Sequence, residues 1–152
     1  MSSILEIKAK IQSFCAYQER CQKEVREKLK SLHTNSLEAE QIIAELIEEN
    51  FLNEQRFASA FARGKFRIKK WGRKKIESKL KFKEVSPFCI NKAMREINES
   101  DYEKTLEEII KKRWKLAKGK GYQKKILVSR YCISRGYEPD LIWQKLGSNE
   151  YS

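Results

Sequence analysis

The stretch from Asn53 to Lys70, NEQRFASAFARGKFRIKK, decides the fold class. At about 100° per residue, Phe57, Phe61, Gly64 and Ile68 fall within a sector about 60° wide. Arg56, Arg63, Arg67 and Lys70 fall in a second such sector, roughly 120° away. The spacing predicts a helix that packs through the first sector and carries a basic stripe along its flank. Asn53 is placed to cap this helix, and Trp71-Gly72 to break it. Phe66 lies nearer the basic stripe than the packing sector. It is expected to pack against a neighbouring module, the other option being an exposed stacking ring.

Helical patterning continues on both sides. Upstream, Ile4, Ile7, Ile11, Phe14 and Cys15 form one apolar stripe, and Val25, Leu29 and Leu32 another. Asn35-Ser36-Leu37-Glu38 resembles a capping box that opens a helix burying Ile42, Ile43, Leu46 and Ile47. Downstream, a short basic helix from Arg73 to about Phe82 turns Ile76 and Leu80 inward. Ser86-Pro87 supplies an N-cap and a first-turn proline for a helix through Ile90, Met94 and Ile97. Ser100-Asp101-Tyr102-Glu103 reads as another capping box, opening a helix through Leu106, Ile109, Ile110 and Trp114. Gly119-Lys120-Gly121 is the expected flexible joint. A last pair, Gln123 to Ser134 and Asp140 to Leu146, flanks Arg135-Gly136-Tyr137-Glu138-Pro139.

These helices repeat. Lys23-Glu24-Val25…Lys28-Leu29 returns as Lys74-Lys75-Ile76…Lys79-Leu80, and Val85-Ser86-Pro87…Ile90 returns as Tyr137-Glu138-Pro139…Ile142. The fold class expected is all-α, with three tandem three-helix repeats at residues 1–52, 53–99 and 100–152. Units of this size bury little surface alone, so neighbours should stack. The expectation is an elongated array, straight or curved, with its hinge near Gly119.

Charge is segregated along the 152 residues. Glu38 to Glu54 holds six acids and no base; Arg63 to Lys83 holds eleven bases and one acid; Lys111 to Arg130 holds nine bases and no acid. A chain that needed only solubility would mix its signs. With a net charge of +12 and a pI near 9.6, the segregation points to a polyanion or an acidic protein surface as partner. A small neutral substrate is disfavoured.

Several function classes fall away. No apolar run approaches the roughly 18 residues that span a bilayer, and Met1 to Lys10 lacks the apolar core of a signal peptide. The basic helices lack the broad apolar face that would lie on an anionic membrane. A cytoplasmic, monomeric protein is expected. Cys15, Cys21, Cys89 and Cys132 form no CxxC pair and His33 is the single imidazole, read as a loop residue; no metal site is expected. No nucleophile–base pairing or phosphate-binding glycine loop is evident, so no catalytic residue, cofactor or enzymatic activity is expected. Asp101 and Asp140 are read as helix N-caps.

Arg and Lys at helical spacing suit phosphates or carboxylates. The residues expected to make such contacts are Arg56, Arg63, Arg67, Lys70, Arg73, Lys74 and Lys75 in the middle repeat, and Lys111, Lys112, Lys115, Lys124 and Lys125 in the last. Aromatics are interleaved with them. Phe82 and Tyr131 are expected to pack internally, whereas Trp71 and Tyr122 adjoin glycines after basic helices and are placed to face outward. No helix carries a recognition cluster for reading duplex sequence.

Leu52-Asn53-Glu54-Gln55-Arg56-Phe57-Ala58, followed by Phe61, Arg63, Lys65, Lys69 and Trp71-Gly72, resembles the central signature of the RecX family of recombination regulators. Tyr17-Gln18-Glu19-Arg20-Cys21 with Glu24-Val25…Leu29 resembles that family's first repeat, and Arg135-Gly136-Tyr137-Glu138-Pro139-Asp140…Ile142 its last. The order of the three pieces agrees over nearly the whole chain. The resemblance implies three tandem three-helix repeats and a non-enzymatic regulator of the RecA recombinase. Such a protein lies in the groove of the RecA–DNA filament, against single-stranded DNA, and inhibits strand exchange, ATP hydrolysis and co-protease action. Expected settings are recombination, DNA repair and the SOS response. Two departures stand out: the glycine usual near the end of the second repeat's short helix is replaced around Lys83-Glu84, and Lys118-Gly119-Lys120-Gly121 is unusually basic. The alternative expectation is a general nucleic-acid-binding architectural protein without a protein partner.

Overall fold

The computed structural model describes residues 3–152. Among these, the chain forms nine α-helices and no strand: α1 (Ile4–Tyr17), α2 (Gln22–Ser31), α3 (Ser36–Glu48), α4 (Glu54–Arg67), α5 (Arg73–Phe82), α6 (Pro87–Arg95), α7 (Glu99–Leu116), α8 (Tyr122–Ser134) and α9 (Pro139–Leu146). A single 3₁₀ turn, Asn149–Tyr151, follows. The all-α expectation holds.

Local chemistry sets the helix starts. The Asn35 side chain accepts from the Glu38 amide at 2.8 Å while Glu38 accepts from the Asn35 amide at 3.0 Å, completing the capping box. Asn53 accepts from the Arg56 amide at 2.8 Å, and Ser86 from the Cys89 amide at 3.3 Å. The start of α7 differs from expectation. Asn98 is its cap, accepting from the Asp101 amide at 3.0 Å, so Asp101 sits inside the first turn. Asp140 likewise lies in the first turn of α9, after Glu138 and Pro139.

The helix ends recur. After α2, α5 and α8 the chain leaves through a left-handed residue two positions beyond the last helical one: His33 (φ 65°), Glu84 (φ 61°) and Gly136 (φ 99°). Each exit has the same two bonds. Residue 34 donates to Leu29, 85 to Leu80 and 137 to Cys132, while 33, 84 and 136 donate to the carbonyls of Lys30, Lys81 and Ile133. This is the Schellman arrangement, which satisfies the last carbonyls of a helix. Only the third copy has the glycine that takes this conformation without a side-chain clash.

The chain divides into two compact units. The first comprises residues up to Phe61 together with Leu80–Ala93; the second comprises Ala62–Lys79 and Met94–Ser152. The helices of residues 53–99 are therefore shared between two cores. In the first unit α1, α2 and α3 pack together around Ile7, Ile11, Cys15, Val25, Leu29, Ile42, Ile43, Leu46 and Leu52. Ile4 and Ile47, expected inside, are exposed. In the second unit α7, α8 and α9 pack on one another around Tyr102, Leu106, Ile110, Val128, Cys132, Tyr137, Ile142 and Leu146. The segment Gly119–Gly121 connects α7 to α8, two helices in contact, and so serves as a turn inside this unit where a hinge between modules was expected.

The buried face of α4 also departs from its expected sector. Phe57 and Ala58 are buried in the first unit, Ala62 and Phe66 in the second, whereas Ile68 is 77% exposed. Phe66 packs on the Tyr102 ring at 5.7 Å, which settles its role as packing.

Candidate nucleic-acid and protein interface

The second unit holds its own elements together through residues that stood out in sequence. Gly72 lies against Gly136 so closely that a Cβ on Gly72 would stand 2.3 Å from the Gly136 carbonyl carbon. The Gly72 amide donates to the Arg135 carbonyl at 2.8 Å and the Lys74 amide to the Gly136 carbonyl at 2.9 Å. The Tyr137 hydroxyl donates to the Lys70 carbonyl at 2.9 Å, and the Arg135 guanidinium to the Lys69 carbonyl. Trp71-Gly72 and Arg135-Gly136-Tyr137 thus form one interlocked turn.

Arg73 is drawn into the same lock. Its guanidinium pairs with Glu99 at 2.8 Å and Glu138 at 3.4 Å and lies 3.8 Å from the centroid of the Tyr102 ring. Tyr102 donates its hydroxyl to Glu138 and accepts from the Arg73 amide at 3.0 Å. Burial, with the Glu138 bond next, pushes the Tyr102 pKa well up, so the ring stays a neutral donor. Arg56 is similarly engaged in the first unit. It pairs with Glu19 and donates to the Asn50 side chain and to the Asn50 and Phe51 carbonyls. Both arginines were expected to meet a partner; their guanidiniums are occupied within the chain.

The remaining expected residues are placed differently. Arg63, Arg67, Lys70 and Lys74 are exposed, as are Lys111, Lys112 and Lys115 on the C-terminal half of α7. None of these seven has an ion-pair partner among the described residues. Lys75 is half-buried, its ammonium 4.6 Å from the Trp71 ring centroid; Lys124 is half-buried, 4.7 Å from that of Trp114; Lys125 is half-buried too. Lys69, Lys79, Lys118, Lys120 and Arg130 are also exposed. They belong to the same base-rich runs, the one signal that could have singled them out.

The aromatics sort in the same way. Trp71 is half-buried, with the Lys65 and Lys75 ammoniums 5.1 and 4.6 Å from its ring centroid. Tyr131 carries the Arg113 guanidinium at 3.8 Å. Phe82, expected to pack inside, is 73% exposed, with the Lys23 ammonium 4.3 Å over its ring. At about 100° per residue Phe82 lies roughly 120–160° away from the buried Ile76 and Leu80, on the outer side of α5.

Charge divides along the two units. The first contains eleven bases and eleven acids, and the second 22 bases and 10 acids, so the whole net charge of +12 belongs to the second. Eleven of the twelve expected contact residues lie there, Arg56 being the exception. In the first unit the acidic run is partly neutralised: Lys8 bridges Glu45 and Glu49, each at 3.0 Å, and Arg26 meets Glu40 at 2.8 Å. Among the described residues no group of side chains could hold a metal ion, and no helix is long and apolar enough to cross a membrane. The four cysteines are free, and burial raises Cys21 and Cys132 to about 11, which keeps them as thiols.

Comparison with known proteins bears on this geometry. A family model for the second three-helix domain of RecX matches residues 53–94. The regulatory protein RecX of Streptococcus uberis is 29% identical over 130 residues, 85% of this chain and 50% of that protein. That of Lactobacillus gasseri is 31% identical over 90 residues, 59% of this chain and 33% of that protein. The chain therefore spans half the length of the first relative and a third of the second. The crystal structure of RecX from Lactobacillus salivarius shares the fold at a TM-score of 0.87 with 21% identity, covering 97% of this chain and 96% of that one. The chain thus carries a matched RecX domain at residues 53–94, resembles RecX proteins in sequence, in one case over 85% of its length, and shares the fold of a RecX crystal structure along nearly all of it.

Proposed function

We propose that the chain is a non-enzymatic regulator that binds the RecA–DNA filament and restrains the recombinase, with the second unit facing the filament. The observation that carries this reading is the charge partition: one unit is electroneutral and the other holds the entire excess of +12. A filament groove presents DNA phosphate and acidic protein surface together, and exposed Arg and Lys suit both. The contact residues are Arg63, Arg67, Lys70 and Lys74, then Lys111, Lys112 and Lys115, with Lys75, Lys124 and Lys125 beside them. Arg56 and Arg73 hold the scaffold. The protein works as a cytoplasmic monomer built from three repeats, 1–52, 53–99 and 100–152, on the single-stranded DNA within the filament.

The test is the single-strand-DNA-dependent ATPase of RecA, titrated at fixed salt. Inhibition is expected well below one molecule per RecA. A variant with Arg63, Arg67 and Lys70 all changed to Glu is expected to lose inhibition while keeping its helicity. Inhibition appearing only at DNA saturation would favour an architectural protein that competes for DNA. Undiminished inhibition by the folded triple variant would overturn the site.

A further inference from the structure

We propose that Tyr122 is a stacking platform for one unpaired base of a single-stranded nucleic acid, with Lys118, Lys120 and Lys125 set on the flanking phosphates. The inference rests on the second unit being the polyanion-facing one, and it names the chemical group that unit reads.

Tyr122 is the first residue of α8 and is 68% exposed. Its ring is held from behind by Trp143, with centroids 5.9 Å apart and planes inclined by 31°. A backed ring presents a fixed π-face, so little side-chain freedom is lost when a base lands on it. The approach is fixed as well. Gly121 stands at φ 55° and ψ −123°, a conformation open to glycine, and so turns the chain sharply into α8. Lys118 and Lys120 are exposed in that turn. Lys125 lies one helical turn on, on the Tyr122 face of α8, whereas Lys124 is directed to Trp114. No acid occurs between Glu108 and Glu138, so the surrounding chain does not repel phosphate.

Tyr122 is also distinguished from its rivals. It is the one aromatic among the exposed large hydrophobic side chains described in the second unit. Tyr17, Phe82 and Phe88 are as exposed but belong to the electroneutral unit. The half-buried Trp71 ring already has the Lys65 and Lys75 ammoniums against it, and a base would have to displace them. Stacking on one exposed ring requires a base freed from its own stack. The platform therefore selects single strands without selecting sequence.

The experiment uses the full chain, without RecA, and fluorescence anisotropy of a labelled oligothymidylate and of a duplex of equal length. Tyr122→Ala is expected to weaken single-strand binding on the order of tenfold, to leave duplex binding unchanged and to leave the salt slope unchanged. Tyr122→Phe should bind as wild type, because the π-face is kept. Changing Lys118 and Lys120 to Gln should instead lower the single-strand salt slope, by about 0.7 for each phosphate no longer neutralised. Equal weakening on single strand and duplex, or none on either, would overturn the platform. If Tyr122→Ala binds normally yet RecA inhibition by the wild type persists, the stacking inference falls and the regulatory reading stands.

Discussion

Replacing Gly72 by Ala adds one methyl group where two backbone turns of the second unit meet closely. The new Cβ would meet the Gly136 carbonyl carbon at 2.3 Å, its oxygen at 2.4 Å and the Tyr137 nitrogen at 2.4 Å. Carbon atoms need about 3.5 Å, so the two turns must part by about 1 Å. No flexible side chain can absorb that, because all three atoms are backbone. Parting the turns breaks the bonds from Gly72 to Arg135, Lys74 to Gly136 and Tyr137 to Lys70. At about 1 kcal/mol each, the expected loss is about 3 kcal/mol. In a chain of this length that lowers the melting temperature by roughly 6–12 °C. The assay is a thermal melt followed by tryptophan fluorescence: Trp71, Trp114 and Trp143 all lie in the second unit, so its unfolding is read separately. Gly64→Ala is the control. Gly64 is inside α4 with open space around its missing Cβ, and there alanine is expected to stabilise by about 0.5–1 kcal/mol. A Gly72→Ala variant that melts with the wild type would refute the claim that these two turns are locked together.

Two further outcomes follow from the helix exits and the carboxylates. Glu84→Gly removes a left-handed non-glycine residue; relief of about 1–2 kcal/mol less the glycine's own entropy leaves a stabilisation of about 0.5–1 kcal/mol, read as a higher urea midpoint by circular dichroism. Acid should destabilise the fold. Burial pushes Glu24 up, but the Cys21 amide and the Lys83 ammonium outweigh it and hold the carboxyl low; hydrogen bonds from Lys145 and Arg26 hold Glu103 and Glu40 low. A carboxyl held low contributes fully above its ordinary value of 4.5, and that contribution is lost as pH falls through the lowered value. Glu54, raised by burial, acts oppositely, favouring the fold below 4.5 and losing that effect as pH rises through its raised value. With three against one, the urea midpoint should fall on acidification below 4.5, and a rising midpoint would contradict the pairings.

Several helix starts were legible because their determinants are local, although α7 is capped by Asn98 and not at the expected Ser100. Asn35 and Glu38, Asn53, and Ser86-Pro87 act within four residues of themselves, and no tertiary contact was needed to read them. The face of α4 was not legible in the same way. A single sector assumes one core, whereas α4 buries Phe57 and Ala58 in one unit and Ala62 and Phe66 in the other, so its buried face turns along its length. The basic residues show a second limit. Charge runs marked the base-rich segments, but not which bases are already paired. Arg73 meets Glu99 and Glu138, and Arg56 meets Glu19, across 26, 65 and 37 positions. No local pattern carries that information.

The residues that make this chain resemble the RecX family are mostly those that hold it together. Phe57 and Ala58 are core; Arg56 staples the Asn50–Phe51 turn; Trp71-Gly72 seats on Arg135-Gly136-Tyr137; and Glu138 anchors both Arg73 and Tyr102. Arg63 and Lys69 are the basic signature positions that are exposed. A match to the signature therefore testifies first to the fold, because two such chains could share every internal contact and differ in surface charge. Under the proposed function, what the second unit grips depends on the exposed bases between the anchors, among them Arg67, Lys70, Lys74, Lys111, Lys112 and Lys115, whose side chains have no ion-pair partner among the described residues. Their number would then set the salt dependence of binding, a slope of about 0.7 for each single-strand phosphate neutralised. On that reading, the strength of binding changes with substitution at these positions while Gly72, Gly136 and Tyr102 keep the scaffold unaltered.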